Sequence, residues 1–121
     1  MTAPLFRQIA ALVEDLIVED RLHPGDRAPS MNELADFHEI NPATARRGLA
    51  LLAGAGVLEK KRGLGMFVTA DARRIILDRR RKTFAEDYLA PLIDEAAKLD
   101  FTRDDIRELI DAVAVSRGLY R

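Results

Sequence analysis

The sequence predicts a mainly α-helical protein with one small β-hairpin. Over most of the 121 residues, apolar side chains recur at three- and four-residue steps, which is the spacing of amphipathic helices. In the middle of the chain, two short runs of strand-forming residues flank a glycine-bearing turn, which is the pattern of a hairpin. Apolar residues make up 48% of the chain and charged residues 32%, so a folded globular protein is expected.

The first helix is predicted from Pro4 to about Asp20. Its apolar residues between Leu5 and Ile17 fall on one helical face. A proline is tolerated in the first turn, because its missing N–H breaks no helical hydrogen bond there. The next segment, residues 23–26, contains a Pro-Gly pair, which indicates a turn. A turn is therefore expected to follow this amphipathic helix.

Two short helices are predicted next. Ser30 and Glu33 have the spacing of a capping box, in which each side chain bonds the backbone N–H of the other residue, and the helix that they begin should run to about His38. The residues of this helix that are expected to point inward are Met31, Leu34 and Ala35. A second helix start follows at Asn41, a favourable N-cap, with Pro42 at the first helical position.

The second of these helices should run to about Ala53, with Leu49 and Leu52 on its core face. Gly54 and Gly56 predict its C-terminal stop, because glycine readily leaves the helical conformation. Two short helices separated by only a few residues are typical of a helix-turn-helix.

A hairpin completes the first predicted domain. Residues 57–60 and 66–69 are rich in strand-forming side chains, and the turn between them, residues 61–65, carries cations and two glycines. A helix-turn-helix followed by a β-hairpin is a winged helix. We therefore predict an N-terminal winged helix-turn-helix domain over residues 1–70 and a C-terminal helical dimerisation segment over residues 71–121.

The C-terminal segment is predicted to contain two helices. The first spans about residues 72–99 and should be kinked by Pro91, and the second follows a weaker cap signature at residues 102–105. Two helices of this length cannot bury enough surface to be stable alone, so their apolar faces must pack on the winged helix, on a second copy, or on both. A self-complementary dimer fits this requirement. The residues expected at the dimer interface are Leu77, Phe84, Tyr88, Leu92, Ile106, Leu109, Ile110 and Val113.

The net charge of −1 hides an uneven distribution of charged residues. Residues 59–82 carry nine Lys and Arg against three Asp and Glu, whereas both flanking stretches are acidic. Cations concentrated in one stretch predict a localised anionic partner. Residues 79–82, Arg-Arg-Arg-Lys, allow two interpretations, a run that faces DNA or a solvated helix face, and the solvated face is favoured.

The candidate binding surface is the start of the second short helix together with the hairpin. In a helix-turn-helix, the start of the second helix enters the major groove of DNA. Taken alone, residues 41–49 fit a solvated helix face, but beside a capped helix and a cationic hairpin the favoured partner is double-stranded DNA. The hairpin suits phosphate or minor-groove contact, with a solubilising turn as the alternative. The predicted DNA-contact residues are Ser30, Asn32, Asn41, Ala43, Thr44, Arg46, Arg47, Lys60, Lys61, Arg62, Gly63 and Gly65.

Four motifs, in their order and spacing, make the chain similar to the GntR family of bacterial transcription regulators. They are PGDRAPS (24–30), ELA (33–35), NPATARR (41–47) and GLGMFV (63–68). The resemblance covers about residues 5–70, and the rest is similar to the short two-helix segment of the YtrA-type subfamily, which pairs two subunits. It implies a dimeric repressor that binds an inverted-repeat operator, with Thr44 and Arg46 matching the recognition-helix residues of the family. One departure is Asn32, which stands where the family commonly has a DNA-contacting arginine. The arginine contact that the family makes at this position is therefore not expected here.

Other functional classes have little support in the sequence. The chain has no cysteine, and its two histidines lack the spacing of a zinc hydrolase, so we expect no enzyme activity, no metal site and no cofactor. No apolar run is long enough to span a membrane, and a cytoplasmic location is expected. Two alternatives stay open. One is a winged helix that binds only proteins, and the other adds a small-molecule effector beside Phe84, Tyr88 or Phe101, although these aromatics fit a plain core better.

Overall fold

The structure, a computed structural model, describes residues 3–121 apart from the side chains of Phe37 and His38, so Met1 and Thr2 of the first predicted domain lie outside it. Its elements are α1 (Leu5–Val18), α2 (Met31–His38), α3 (Pro42–Gly54), β1 (Leu58–Lys61), β2 (Gly65–Val68), α4 (Ala72–Phe84), a π-helical turn (Ala85–Leu89), α5 (Ala90–Lys98) and α6 (Arg103–Ser116). The described chain is therefore mainly helical with one small hairpin, as predicted. It divides into two compact units between Arg81 and Lys82.

The core of the first unit is centred on the contact between α1 and α3. Apolar side chains of α1 and α3 are buried in one hydrophobic cluster, which contains Ile9, Val13, Ile17, Ala45, Leu49 and Leu52. The two helices approach most closely at Gly48, where a Cβ atom would stand 2.9 Å from the carbonyl oxygen of Phe6 and 3.2 Å from Cγ2 of Ile9. Because a protein interior has almost no spare volume, the glycine is what allows α1 to lie against this face of α3.

The predicted helix starts are present, with one difference at α2. The Ser30 Oγ accepts a hydrogen bond from the Glu33 N–H at 3.1 Å, and the Asn41 Oδ1 accepts one from the Ala43 N–H at 2.8 Å. The other half of the expected capping box at Ser30 does not form. The Glu33 carboxylate instead accepts a hydrogen bond from Arg27 at 3.3 Å, because the guanidinium competes for it.

Each strand of the hairpin lies one residue nearer the turn than predicted, so the turn is shorter than expected. Strand β1 pairs antiparallel with β2 in a register that places Leu58 opposite Val68 and Lys61 opposite Gly65. Residues 25–28 add a short third segment on the far edge of β2, since the Ala28 N–H donates to the Met66 carbonyl at 2.8 Å and the Val68 N–H donates to the Asp26 carbonyl at 2.9 Å. The sequence showed only a turn in this region, because its Pro-Gly pair does not resemble a strand.

The first unit extends beyond the predicted boundary at residue 70. Ala72 and Ile76 of α4 are fully buried, and they belong to the same cluster as the apolar residues of α1 and α3. The first turns of α4 therefore complete the core of the winged helix. This packing is why the first unit ends eleven residues later, at Arg81.

The second unit contains an irregular turn before Pro91. In this turn the Ala90 N–H donates to the carbonyl of Ala85, five residues earlier, which is the hydrogen bond of a π-helix. The irregularity expected from Pro91 thus takes the form of a π-helical turn that precedes it. The start of α6 carries a complete capping box between Thr102 and Asp105, with hydrogen bonds of 2.8 Å and 3.1 Å, so this helix start is well defined.

Candidate nucleic-acid interface

One concave surface of the first unit gathers residues from three separate elements. A groove of about 490 Å³ lies between the start of α2, one face of α3 and the hairpin. Five of the predicted DNA-contact residues line it, namely Ser30, Asn32, Arg46, Lys60 and Gly65. The structure therefore brings together side chains that are up to 35 positions apart in the sequence. We call this surface the α2–α3–hairpin groove.

The lining of the α2–α3–hairpin groove combines apolar side chains with cations. Its apolar residues include Ala28, Leu49 and Met66, which also belong to or pack against the core. Its cations are Arg27, Arg46 and Lys60, and all three are exposed. A concave surface with a fixed floor and several exposed cations attracts a polyanion, and the cations supply the sequence-independent part of binding to DNA.

Arg27 lines the groove but is not among the DNA-contact residues predicted from the sequence. Its Nη1 lies 3.3 Å from the Glu33 carboxylate, and its Nε lies only 3.0 Å from the position that a Cβ would take at Gly65. Gly65 has a φ of 118°, which L residues rarely adopt. Gly65 therefore makes room for the Arg27 side chain, in addition to any approach that it allows to DNA. The PGDRAPS motif contained this arginine, but no spacing rule connected it with Gly65.

The start of α3 presents its residues in different surroundings. Asn41 uses its side-chain oxygen to cap the helix, Ala43 is exposed and Thr44 is half-buried. Arg46 lines the groove, whereas the Arg47 guanidinium carbon lies 3.9 Å from the centroid of the Phe6 ring on α1. Adjacent helical residues point about 100° apart, so the two neighbouring arginines serve different surfaces.

Phe6 forms a small aromatic platform at the start of α1. Besides Arg47, the Arg7 guanidinium carbon lies 5.6 Å from the same ring centroid. Stacking on an aromatic face holds a guanidinium in place while leaving its N–H donors free for other partners. No sequence pattern indicates this platform, because Phe6 and Arg47 are 41 positions apart and meet only when α1 packs on α3.

The sequence had suggested that the three cations of the hairpin lie together at its tip. The structure separates them. Lys60 lines the groove, and Lys61 belongs to β1, where its Nζ lies 4.7 Å from the Phe67 ring centroid and 4.0 Å from Glu59. Successive strand residues point to opposite faces, which separates Lys60 from Lys61. The turn itself consists of Arg62, Gly63 and Leu64, with Gly63 at a φ of 78°.

The cationic run at residues 79–82 is also divided by the structure. Arg79 and Arg80 form ion pairs with the acidic side chains of α1, although 49% of the Arg79 side chain stays exposed, and Arg81 and Lys82 are exposed as well. Burial lowers the pKa of Arg80, but its hydrogen bond to Asp15 and the charges of Asp15 and Glu14 outweigh burial and raise that pKa above its ordinary value. A solvated face therefore describes Arg79, Arg81 and Lys82, but Arg79 and Arg80 also bind α1.

Clusters of metal-ligating side chains and membrane-spanning helices are both absent from the described residues. No group of three or more described His, Cys, Asp or Glu side chains is placed to hold a metal ion. Of the helices formed by residues 3–121, none has both the length and the apolar character needed to cross a membrane.

The fold and the groove together define a class of protein. A helix-turn-helix, a paired hairpin and a groove with exposed cations between them make a winged-helix DNA-binding domain. Residues 5–68 match the family described as bacterial regulatory proteins, gntR family. The chain belongs to this family and is a DNA-binding transcriptional regulator rather than an enzyme, as the motifs predicted.

Two curated relatives and one solved structure extend the similarity to nearly the whole chain. YhcF of Bacillus subtilis, an uncharacterized HTH-type transcriptional regulator, is 29% identical over 105 residues, which are 87% of this chain and 85% of YhcF. The HTH-type transcriptional repressor YtrA of the same species is 26% identical over 113 residues, or 93% of this chain and 86% of YtrA. A GntR family transcriptional regulator from Listeria monocytogenes has a TM-score of 0.72 and 29% identity, over 92% of this chain and 96% of that chain. The similarity thus includes the C-terminal helices.

Proposed function

We propose that the protein is a homodimeric repressor that binds an inverted-repeat DNA operator through α3 and the hairpin. The observation that carries this proposal is the α2–α3–hairpin groove, where Arg46 of the recognition helix and Lys60 of the hairpin line one surface. A helix whose first turns enter the major groove reads base edges, while cations beside it contact phosphates. One continuous surface can therefore supply both sequence selectivity and affinity.

The predicted contact residues divide into two roles. Arg46 is the residue that we assign to base reading, because its guanidinium can fork onto guanine O6 and N7, and Thr44 one half-turn earlier can add a hydrogen bond. The remaining predicted contacts are assigned to phosphates and sugars, which position the domain without reading sequence. They are Ser30, Asn32, Asn41, Ala43, Arg47, Lys60, Lys61, Arg62, Gly63 and Gly65.

The proposed dimer rests on the apolar surface of the second unit. Of residues 82–121, only Ala96 is buried, and thirteen large apolar side chains are exposed. An apolar groove of about 550 Å³ is lined by five predicted interface residues, Leu92, Ile106, Leu109, Ile110 and Val113. Exposed apolar surface of this extent marks an interface, and a second copy of the chain can cover it by presenting the same self-complementary surface.

The other three predicted interface residues have different positions. Leu77 is half-buried and belongs to the first unit. Phe84 and Tyr88 are exposed and contact each other, with ring centroids 5.6 Å apart. Phe101 lines the apolar groove instead. Of the three aromatics named for a possible effector site, only Phe101 lines the apolar groove. We therefore assign the groove to a second copy of the chain rather than to a small-molecule effector.

The repressor role and the location follow from the proposed partner. YtrA, which is similar to this chain over most of its length, is a transcriptional repressor. A dimer whose two α3 helices reach half-sites about one DNA turn apart competes with the transcription machinery for the same promoter DNA. Because bacterial operators lie in the chromosome, we place the protein in the cytoplasm.

The test is selection of bound fragments from genomic DNA by the purified protein, followed by a mobility-shift assay of those fragments at about 50 and about 200 mM salt. We expect a shared inverted repeat, and binding that weakens at the higher salt concentration. Sedimentation should give twice the chain mass of 13.5 kDa. If no DNA fragment is enriched, the proposal is wrong and a winged helix that binds only proteins becomes the better explanation. If the mass is that of one chain, the dimer is wrong.

A further inference from the structure

The ion pairs between α1 and α4 form a cluster that the DNA-binding role does not use. Among the described side chains, Glu14 of α1 is the one buried charge, with 4% of its surface exposed. The Arg79 Nη2 on α4 donates to both of its carboxylate oxygens, at 2.6 Å and 2.7 Å. Arg80 donates from Nη1 to Asp15 at 2.8 Å and from Nη2 to Glu14 at 3.4 Å. We call these four residues the α1–α4 ion cluster.

The cluster restrains α4 in a way that its apolar contacts do not. Ala72 and Ile76 are buried on one side of α4, four residues apart, and apolar contacts are not directional. Arg79 and Arg80 leave the helix about 100° apart, and each has its own carboxylate partner on α1. Two charge-assisted hydrogen-bond sets in different directions oppose both rotation of α4 about its axis and sliding along α1.

An ion pair that buries a carboxylate, as the Glu14–Arg79 pair does, is poorly explained by stability alone. Removing a buried carboxylate from water costs free energy that its partner only partly restores, and well-packed apolar residues often stabilise a fold equally well. A polar cluster with a buried member can instead select one arrangement of two elements over others of similar energy. The helix α4 leads from the winged helix into the segment proposed to dimerise. Operator recognition by a dimer therefore depends on the orientation of α4 on α1.

We propose that the α1–α4 ion cluster holds α4 in a single orientation on α1 and thereby sets the half-site spacing that the dimer accepts. Glu14, Asp15, Arg79 and Arg80 are then positioning residues, which touch no DNA. The part of this inference that concerns spacing rests on the proposed dimeric operator binding. The part that concerns the orientation of α4 does not.

The orientation is tested by a distance measurement within one full-length chain. Because the chain has no cysteine, spin labels attached at Asp36→Cys and Arg81→Cys, both exposed positions of the first unit, report one distance when the labelled protein is diluted with unlabelled protein. We expect a single narrow distribution for the otherwise unchanged chain. In Glu14→Gln, and in the double variant Glu14→Met with Arg79→Met, we expect loss of the single narrow peak. The double variant leaves no unpaired charge at the Glu14–Arg79 pair, which protects the fold if Glu14→Gln unfolds it.

The matched control is Asp78→Asn. Asp78 also lies on α4 and also pairs with an arginine, but its partner is Arg74 on the same helix at 3.6 Å, so no contact to α1 is lost. This variant should keep the narrow distribution. If the folded double variant keeps it as well, the proposal is wrong.

Spacing is tested by selection from a DNA library in which two half-sites are separated by variable lengths. The unchanged protein should enrich one spacing, and the double variant should accept several spacings while keeping the same half-site sequence. Two results for the double variant would overturn the positioning role. One is a broadened distance distribution with an unchanged spacing preference, and the other is loss of the preference for the half-site sequence itself. If the unchanged protein enriches no paired half-sites, the proposed operator binding fails, and the distance measurement alone decides whether the cluster orients α4.

Discussion

The contact between α1 and α3 at Gly48 gives a prediction whose size follows from two opposing effects. Replacing a helical glycine with alanine stabilises a helix by about 1 kcal/mol, because the unfolded chain loses freedom. At Gly48 the new Cβ would stand 2.9 Å from a backbone oxygen and 3.2 Å from Ile9 Cγ2, so α1 must move by several tenths of an ångström. Overpacking of a core costs about 1–3 kcal/mol. The cost of overpacking should exceed the helical gain, so Gly48→Ala should lower the free energy of unfolding by about 0–2 kcal/mol.

The same helix contains the control for this prediction. A Cβ at Gly54 would meet no atom within 4 Å. Gly54→Ala should therefore gain helix stability without overpacking, and its free energy of unfolding should rise by up to about 1 kcal/mol. The two variants should therefore differ by about 1–3 kcal/mol. Urea unfolding followed by circular dichroism, at one protein concentration because dimerisation affects stability, measures this difference. Equal unfolding midpoints for Gly48→Ala and Gly54→Ala would refute the close approach of α1 to α3.

The remaining predictions concern DNA contact and the role of α4. Arg46→Ala should weaken binding to the selected operator by about 1–3 kcal/mol and relax the preference at one base pair, and an unchanged operator affinity in a mobility-shift titration would remove Arg46 from base reading. Lys60→Ala should weaken binding to all DNA and make its salt dependence shallower. Lys61→Ala should do so less, because Lys61 lies on the Phe67 ring beside Glu59; the opposite order would contradict the assignment of Lys60 to the DNA side. Ile76→Ala should lower the free energy of unfolding by about 2–5 kcal/mol, since the side chain is fully buried. A loss below about 0.5 kcal/mol, typical of surface substitutions, would show that α4 is not part of the first core.

Local signals in the sequence were enough for the order of elements and for the helix starts. Ser30 and Asn41 each accept the hydrogen bond expected of an N-cap, because capping depends on residues within one turn, whereas the reciprocal bond from Glu33 was lost to Arg27. Leu49 and Leu52 are buried as their spacing predicted. The extra edge segment at residues 25–28 was missed because its pairing with β2 depends on residues about 40 positions away.

What the sequence by itself determined is the class of protein: a winged helix-turn-helix with a helical C-terminal segment, whose motifs match the GntR family. These features are local, and neighbouring residues specify them through caps, turns and helical periodicity. Only the tertiary structure decided which cations share a surface. It placed Arg46 and Lys60 in one groove, stacked Arg47 on Phe6 and paired Arg79 with the buried Glu14. A charge acts on whatever lies near it in space, and packing of distant elements determines those neighbours.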